Sequence, residues 1–306
     1  STDGSAEFVE AEHPECTVMR LGGNLGFATA NNLGMQRAFA DGAECCVLLN
    51  SDTFSERSML SELVALYQRT LKTGAAVGLV QATVLLFEQR DRVNTTGNAL
   101  HYLGYGFCRD YFKPHAPEAE DRRILSASGA AMLVPRRYFE MVGGFNDEFF
   151  IYNEDQNYSW RGLLQGFTHV VSARAVVYHK YTFREHAFKM YHSEKNRLMM
   201  LLENYEVRTL AMLAPMLVLN EAMIVTHAAL NGWLGAKLRS YGYVLKAAGL
   251  IAKRRREVKA TRTVSDAVLF PQMDAALDFH AYRGVLIRRV VSPLMVAYHR
   301  IATRWV

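Results

Sequence analysis

The sequence predicts an α/β fold: a mostly parallel sheet with flanking helices, followed by C-terminal apolar and amphipathic helices. Three observations carry this prediction. Apolar strand-like runs alternate with helical segments through about residue 180. The run at 45–49 is continuously apolar, the pattern of a strand buried on both faces. From 210 to 230 the character changes, and no Lys or Arg interrupts the run. The 306 residues, 50% hydrophobic and 21% charged, suffice for a sizeable core and exclude a disordered chain. No internal repeat is visible.

Residues 1–5 are turn chemistry leading into a helix. The start at Ser1 shows neither a charged n-region nor an apolar h-region, so no secretory signal is expected. Residues 16–21 read as a short strand. A Gly-rich loop from Gly22 then enters a helix over 28–40, an arrangement that can hold phosphate on free N–H groups. It is neither a Walker motif nor a dinucleotide fingerprint.

The 45–49 strand ends in Asn50-Ser51-Asp52-Thr53. Ligands in open α/β sheets sit at the carboxyl ends of strands. Asp52 therefore stands where a substrate would, and oxygen ligands there can hold Mg²⁺ or Mn²⁺. The alternative is an N-cap for a helix over 58–71.

Residues 75–87 give one or two further strands, and 94–112 an irregular loop or short hairpin. Residues 114–123 form a charged, exposed loop. Ser126, Ser128 and Gly129 precede an apolar strand, and small residues there let a ligand approach the backbone closely. A short helix over 136–142 leads to the turn Gly143-Gly144.

Residues 145–161 carry Glu154 and Asp155 behind an aromatic-rich approach, with Trp160 and Arg161 about one helical turn later. This is either an acid-capped surface helix or a site that takes a proton and holds a partly apolar ring such as a sugar. Residues 167–171 and 175–178 are strand-like, and the second run ends at His179, another strand terminus. Residues 191–205 are helical, with Glu194-Lys195-Asn196-Arg197 in the first half.

Two regions follow, 1–205 and 206–306. The run at 210–230 is long enough to span a bilayer, but Glu221 near its middle argues against a simple span. From 232 to 262 nine Lys or Arg face one acid, Glu257, while apolar residues recur at helical spacing. That reads as a basic amphipathic helix on a membrane surface or as a helical subdomain packed on the sheet. A further apolar helix covers 285–301. Cys16, Cys45, Cys46 and Cys108 show no metal-ligand spacing and suit a reducing compartment, with Cys45 and Cys46 as buried free thiols.

Together these pieces resemble one family, the family 2 glycosyltransferases of the rhamnosyltransferase-like kind. The resemblance rests on Asn24-Leu25-Gly26-Phe27 with Asn31-Asn32-Leu33-Gly34, and on Leu49-Asn50-Ser51-Asp52. It continues through Gly143-Gly144-Phe145-Asn146-Asp147-Glu148-Phe149-Phe150, Glu154-Asp155, Ser159-Trp160-Arg161 and His179. Glu194 to Leu198 is similar to the family's later Arg-Asn-Arg helix, and matches run in family order to about Tyr205.

The resemblance implies a nucleotide-diphospho-sugar transferase (GT-A) fold, a divalent metal (Mg²⁺ or Mn²⁺), and inverting transfer to a hydroxyl. It implies a UDP- or dTDP-sugar donor and a glycan or lipid-linked acceptor in cell-surface polysaccharide synthesis. The expected place is the cytoplasmic face of the membrane, contacted through 206–306, with no nucleic-acid partner. Asp52 and His179 would hold the metal, and Asp155 would be the general base with Glu154 beside it. Asn24, Gly26, Asn31, Asn50, Asp52 and Arg161 would line the donor side. Ser128, Gly129 and Trp160 would line the acceptor side.

Three departures stand out. The family's first strand-helix-strand falls before the position of Ser1, so the resemblance implies an N-terminally incomplete sheet. Asn157 stands where the family often has Asp. The metal motif carries one carboxylate instead of two. These departures motivate a rival, a non-catalytic homologue that binds glycan or tethers a partner to the membrane. A nucleotidyltransferase is disfavoured, because residues 22–34 carry no basic side chain to grip phosphate.

Overall fold

The computed structural model describes residues 2–116, 118–181, 186–277, 285 and 287–306. The first half holds helices α1 (Ser5–Glu12) and α2 (Gly26–Ala40), strands β1 (Cys45–Leu49) and β2 (Thr53–Ser55), helix α3 (Met59–Lys72) and strand β3 (Val77–Leu86). Short strands β4 (Val93–Thr95), β5 (Asn98–Leu100), β6 (Gly106–Cys108) and β7 (Arg122–Ile124) lead to β8 (Ala131–Pro135). Then come α4 (Arg136–Val142), α5 (Glu154–Leu164), β9 (Thr168–His179) and α6 (Ala187–Asn204). The C-terminal part is helical: α7 (Val207–Leu230), α8 (Leu234–Lys246), α9 (Ala248–Thr261), α10 (Asp266–Leu269) and α11 (Ser292–Ala302).

The main sheet runs β1-β8-β3-β9-β2, with β4 on β3 and β7 on β9. The expected mostly parallel sheet is a mixed one. Strands β1, β3 and β9 point the same way, but β8 enters antiparallel between β1 and β3, and only the β3–β9 ladder is parallel. A parallel neighbour needs a long crossover connection. Strand β8 instead follows β7 through the short segment 125–130.

β3 is buried at all ten positions, which explains its near-continuous apolar sequence. On one side of the sheet Leu79, Met132 and Val134 pack with Met35, Phe39, Tyr138, Phe145 and Tyr158. On the other side Val80, Val84, Leu133 and Val177 pack with Met59, Leu63 and Leu66 of α3.

Several strand expectations change. Residues 16–21 form no strand. They run half-exposed or exposed, with Arg20 paired to Glu7 and Glu10 of α1 in place of a sheet partner. β1 is buried only at Leu48, because β8 is its single neighbour and Leu49 is exposed. Cys45 and Cys46 are accordingly half-buried free thiols. The two runs at 167–171 and 175–178 are one strand, β9, whose register against β3 shifts between Ala82 and Thr83.

A further hydrophobic cluster joins Leu100, Tyr102, Phe149, Trp160 and Tyr205 to Leu213 of α7, Ile251 of α9, Phe270 and Met295 of α11. The 205/206 boundary falls inside this cluster. Glu221 of α7 does not face outward: with Glu194 it surrounds Arg197 and the fully buried Lys237. Three members of the basic block are structural. Lys237 is in this network, Arg255 donates to Leu202 O, and Arg262 pairs with Glu206 and Asp266. The helix expected over 285–301 begins as a π turn at Ile287–Val291 and continues as α11; Leu286 lies outside the described residues.

Candidate active site

Asp52 and His179 meet at the carboxyl end of the sheet. β2 pairs antiparallel with β9, setting Thr53 opposite His179, and Lys180 N donates to Asp52 O at 3.0 Å. Asp52 Oδ1 then lies 3.2 Å from His179 Nε2, and the Asp52 side chain is 51% exposed. It caps no helix: Ser58 stands at the N-cap of α3.

On the far side of the ring, His179 Nδ1 lies 3.0 Å from Asn94 Oδ1. An amide oxygen only accepts, so Nδ1 carries the hydrogen. Burial pushes the imidazole below its usual range, against the pull of Asp52. The neutral ring turns an Nε2 lone pair toward a carboxylate, and two donor atoms face each other across a half-open gap. This pair fits a divalent cation whose other positions are filled by phosphate and water oxygens. Among the described residues, no group of three or more His, Cys, Asp or Glu gathers for a metal.

Asp155 stands in the first turn of α5. Its Oδ2 accepts from Gly129 N at 3.0 Å and from Asn98 Nδ2 at 3.4 Å, and its Oδ1 accepts from Gln156 N at 2.7 Å. Burial raises its pKa, while the backbone donors oppose the rise. Glu154 beside it is buried, and its Oε2 has no hydrogen-bond partner. Burial, and then the neighbouring Asp155, push the Glu154 carboxyl up to about 8. Two adjacent carboxyls are thus given different environments.

A four-residue step joins the two centres. Asn94 holds His179, Asn98 holds Asp155, and between them Thr95 Oγ1 donates to Asn98 Oδ1 at 3.1 Å. Sequence reasoning passed over this segment as loop or hairpin. The signal was Asn-Thr-Thr-Gly-Asn, a polar run that the fold buries in part. Gln81 was also missed: fully buried in β3, its Oε1 accepts from Ser128 N at 2.6 Å and fixes the Ser128-Gly129 turn.

Other expected site residues are placed differently. Trp160 is fully buried, 4.7 Å from the Tyr205 ring, and so reaches no acceptor. Arg161 turns away from Asp155. It donates to Asn157 Oδ1, Val142 O and Gly144 O, so its donors hold the Gly143-Gly144 turn instead of phosphate. Both shifts follow from helix geometry: Asn157 and Arg161, four residues apart, share one face of α5, and that face and Trp160 lie away from Asp155.

The Gly-rich loop is likewise engaged. Asn24 Oδ1 accepts from Gly26 N, and Ala28 N donates to Phe150 O, so two amides expected to face phosphate are already bonded. Gly26 has φ +78°, and a Cβ there would lie 2.5 Å from Phe150. Asn31 donates within α2 to Phe27 O. Asn50 O accepts from Thr53 N and shapes the turn that carries Asp52. Ser128 Oγ accepts from Ala130 N.

The loop before α5 is strained. Phe150, Tyr152 and Asn153 have φ of 58°, 70° and 64°. Left-handed non-glycine residues cost on the order of 1–3 kcal/mol each, with Asn at the low end, and persist only where surroundings over-determine them. Here the surroundings come from α6, whose Asn196 donates to the carbonyls of Phe149, Ile151 and Tyr152.

Sheet order, the strand-end Asp–His pair and the carboxylate at the start of α5 define a GT-A type of glycosyltransferase fold. The profile described as "Glycosyltransferase like family 2" matches residues 1–200, and the chain belongs to that family. Among solved structures, the chain is similar to a crystal structure of GalNAc-T7 with UDP, GalNAc and Mn²⁺, at TM-score 0.52 and 13% identity. The match covers 70% of this chain and 41% of that one, so the chain spans less than half the length of that relative. A mannosyltransferase, PcManGT from Pyrobaculum calidifontis in complex with GDP-Man and Mn²⁺, matches at TM-score 0.44 and 16% identity, over 100% of this chain and 75% of that one. No curated protein matches the sequence.

Proposed function

We propose that this protein is an inverting glycosyltransferase. It moves a sugar from a nucleotide-diphospho-sugar to a hydroxyl of a glycan or lipid-linked acceptor in cell-surface polysaccharide synthesis. The observation that carries the reading is the Asp155 carboxylate, held by Gly129 N–H and Asn98 and joined through Asn94 to the Asp52–His179 pair. Asp52 and His179 would hold Mg²⁺ or Mn²⁺, which, when bound, offsets charge developing on the leaving diphosphate.

The chain's own residues supply the proton chemistry. Glu154, buried and with no partner for Oε2, has its carboxyl pushed up to about 8 and is the one of the pair that holds its proton. Asp155, with donors on both oxygens, is the carboxylate that ionises. It takes the proton of the acceptor hydroxyl as the new C–O bond forms. Attack from the face opposite the leaving group inverts the anomeric carbon and needs no nucleophilic side chain.

The C-terminal helices support contact with a membrane surface. α7 is long and apolar enough by length and composition to cross a bilayer, with mean hydropathy 1.6. Its polar Asn220 and Glu221 face Tyr105, Arg197 and Lys237, and its other side exposes Val218, Leu219 and Leu230. Leu238 and Leu245 of α8 are exposed beside Arg239 and Lys246. An interfacial helix fits this better than a span, because a span would strip Glu221 of its partners.

The test is Asp155→Asn in the full chain, assayed against a panel of nucleotide sugars with Mn²⁺. Transfer should be lost while donor binding survives. Undiminished transfer sinks the base assignment. A wild-type protein that binds glycan or vesicles but turns over no donor supports the non-catalytic reading instead.

A further inference from the structure

Asn196 lies in the middle of α6, is fully buried, and touches neither Asp52 nor Asp155 in any hydrogen bond. Its Nδ2 is 2.9 Å from Phe149 O, 3.0 Å from Ile151 O and 2.6 Å from Tyr152 O. Its own Oδ1 has no partner. The side chain is therefore oriented by what it donates, not by what it accepts. Three carbonyls converging on one point repel one another unless a multiple donor sits among them. The backbone can converge in this way because Phe150, Tyr152 and Asn153 take positive φ, while Phe150 O is turned to the other side to accept from Ala28 N.

The neighbours of Asn196 act on the same loop. Lys195 Nζ donates to Glu148 O, and Tyr243 of α8 donates to the Glu148 carboxylate. Arg197 donates to Leu103 O and lies over the Tyr105 ring, and Tyr105 O accepts from Gln156 Nε2, next to Asp155. One turn of α6 thus grips both the loop that precedes Asp155 and the loop that flanks it.

We propose that Asn196 is a positioning residue for Asp155: its amide clamps the carbonyls of Phe149, Ile151 and Tyr152 and so sets the direction in which α5 presents the carboxylate. The inference deepens the sugar-transfer reading and rests on it for the kinetic arm of the test alone. Removing the clamp lets the strained loop relax, and a displacement of about 1 Å at the base is worth roughly 100-fold in rate. Binding of donor at Asp52 and His179, on the other side of the Asn94-to-Asn98 step, is left as it was.

The experiment compares the full chain with Asn196→Ala, and with Asn196→Ala combined with Tyr152→Gly. Asn196→Ala should keep a cooperative melt, lower kcat by about 100-fold and leave donor KM within about twofold. Glycine at 152 adopts positive φ without strain, so Tyr152→Gly should return part of the lost kcat. Recovery of that kind separates clamping from simple packing. In parallel, ¹³C-carboxyl NMR follows the titration of Asp155, assigned by difference from Asp155→Asn; it should shift in Asn196→Ala and move back in the double variant. A folded Asn196→Ala protein with unchanged kcat and an unshifted Asp155 titration overturns the proposal, as does a loss that Tyr152→Gly leaves untouched. If the wild-type protein turns over no donor, the functional reading fails while the NMR titration still decides the clamp. If Asn196→Ala does not fold, Asn196→Gln, which keeps both donor hydrogens one methylene further out, is read by the same two measurements.

Discussion

Gly129 N–H points at Asp155 Oδ2 from 3.0 Å, while the same glycine lies against the Phe27 ring of α2. A Cβ there would lie 3.0 Å from the Phe27 ring and 3.7 Å from Asp155 Cβ. Gly129→Ala should press on the Phe27 ring and shift the turn that donates to Asp155, lowering stability by about 1–3 kcal/mol through overpacking and lowering kcat more than donor affinity. Thermal melts and steady-state kinetics check both. Wild-type kcat in this variant would dissociate the turn from the base.

Glu154 predicts a pH dependence of stability with a defined sign. Its folded pKa, about 8, lies above its ordinary value, so between roughly pH 4.5 and 8 the folded chain binds more protons at this site than the unfolded chain. This contribution is therefore greatest at low pH and is lost as pH rises through about 8. Glu154→Gln removes the charge that burial resists. The variant should melt higher than wild type at alkaline pH, with the difference shrinking toward acid pH. Melting curves that stay parallel across that range would reject the assignment.

The Asp52–His179 pair predicts a graded metal response. Asp52→Ala should abolish or severely weaken Mn²⁺ binding measured with a nucleoside diphosphate present. Asn94→Ala, which removes only the partner of His179 Nδ1, should weaken it by about 10–100-fold. Calorimetric titration with Mn²⁺ and UDP or GDP gives both numbers. An Asp52→Ala curve that overlays wild type would remove Asp52 from the site.

α7 predicts that stability and membrane contact separate by face. Glu221→Leu strips a partner from Arg197 and the buried Lys237 and should cost about 3 kcal/mol or more of stability. Val218→Asp, on the exposed side, should leave the melt unchanged and weaken binding to phosphatidylglycerol-containing vesicles in a flotation assay. Unaltered vesicle binding by Val218→Asp would remove that face from the interface. Deletion after Tyr205 is a poor probe here, because it opens the cluster shared by Trp160, Tyr205 and Leu213.

Asn157 is fully buried, accepts from Arg161 Nε at 2.9 Å, and leaves its own Nδ2 without a partner. Asn157→Asp turns that contact into a charge-assisted bond but leaves a buried carboxylate oxygen without a donor where Nδ2 stood. The two effects oppose, so stability should change by less than about 1 kcal/mol, with kcat unchanged because the residue faces away from Asp155. A fall in kcat would place Asn157 in the site after all.

The placing of the central candidate residues was legible from local sequence. Glu154-Asp155 after an aromatic stretch marked a helix start, and Asp52 and His179 each closed an apolar run. Those patterns follow from periodicities of 3.6 and 2, which short windows carry. The sheet was less legible. An apolar run does not say which way its neighbours point, so β8 entering antiparallel left no mark in its own residues.

By itself the sequence determined the α/β order, the adjacent acids at a helix start and the placing of Asp52 and His179 at strand ends, because each depends on residues near one another in the chain. Tertiary structure alone decided which groups work together. It sent Trp160 and Arg161 inward, brought Asn94 and Asn98 between His179 and Asp155, and set Asn196 under a strained loop more than 40 positions away. The physical reason is that a buried polar group must find its partner wherever the fold supplies one. The loop at 149–153 holds positive φ because the partner for its carbonyls is the Asn196 amide of α6.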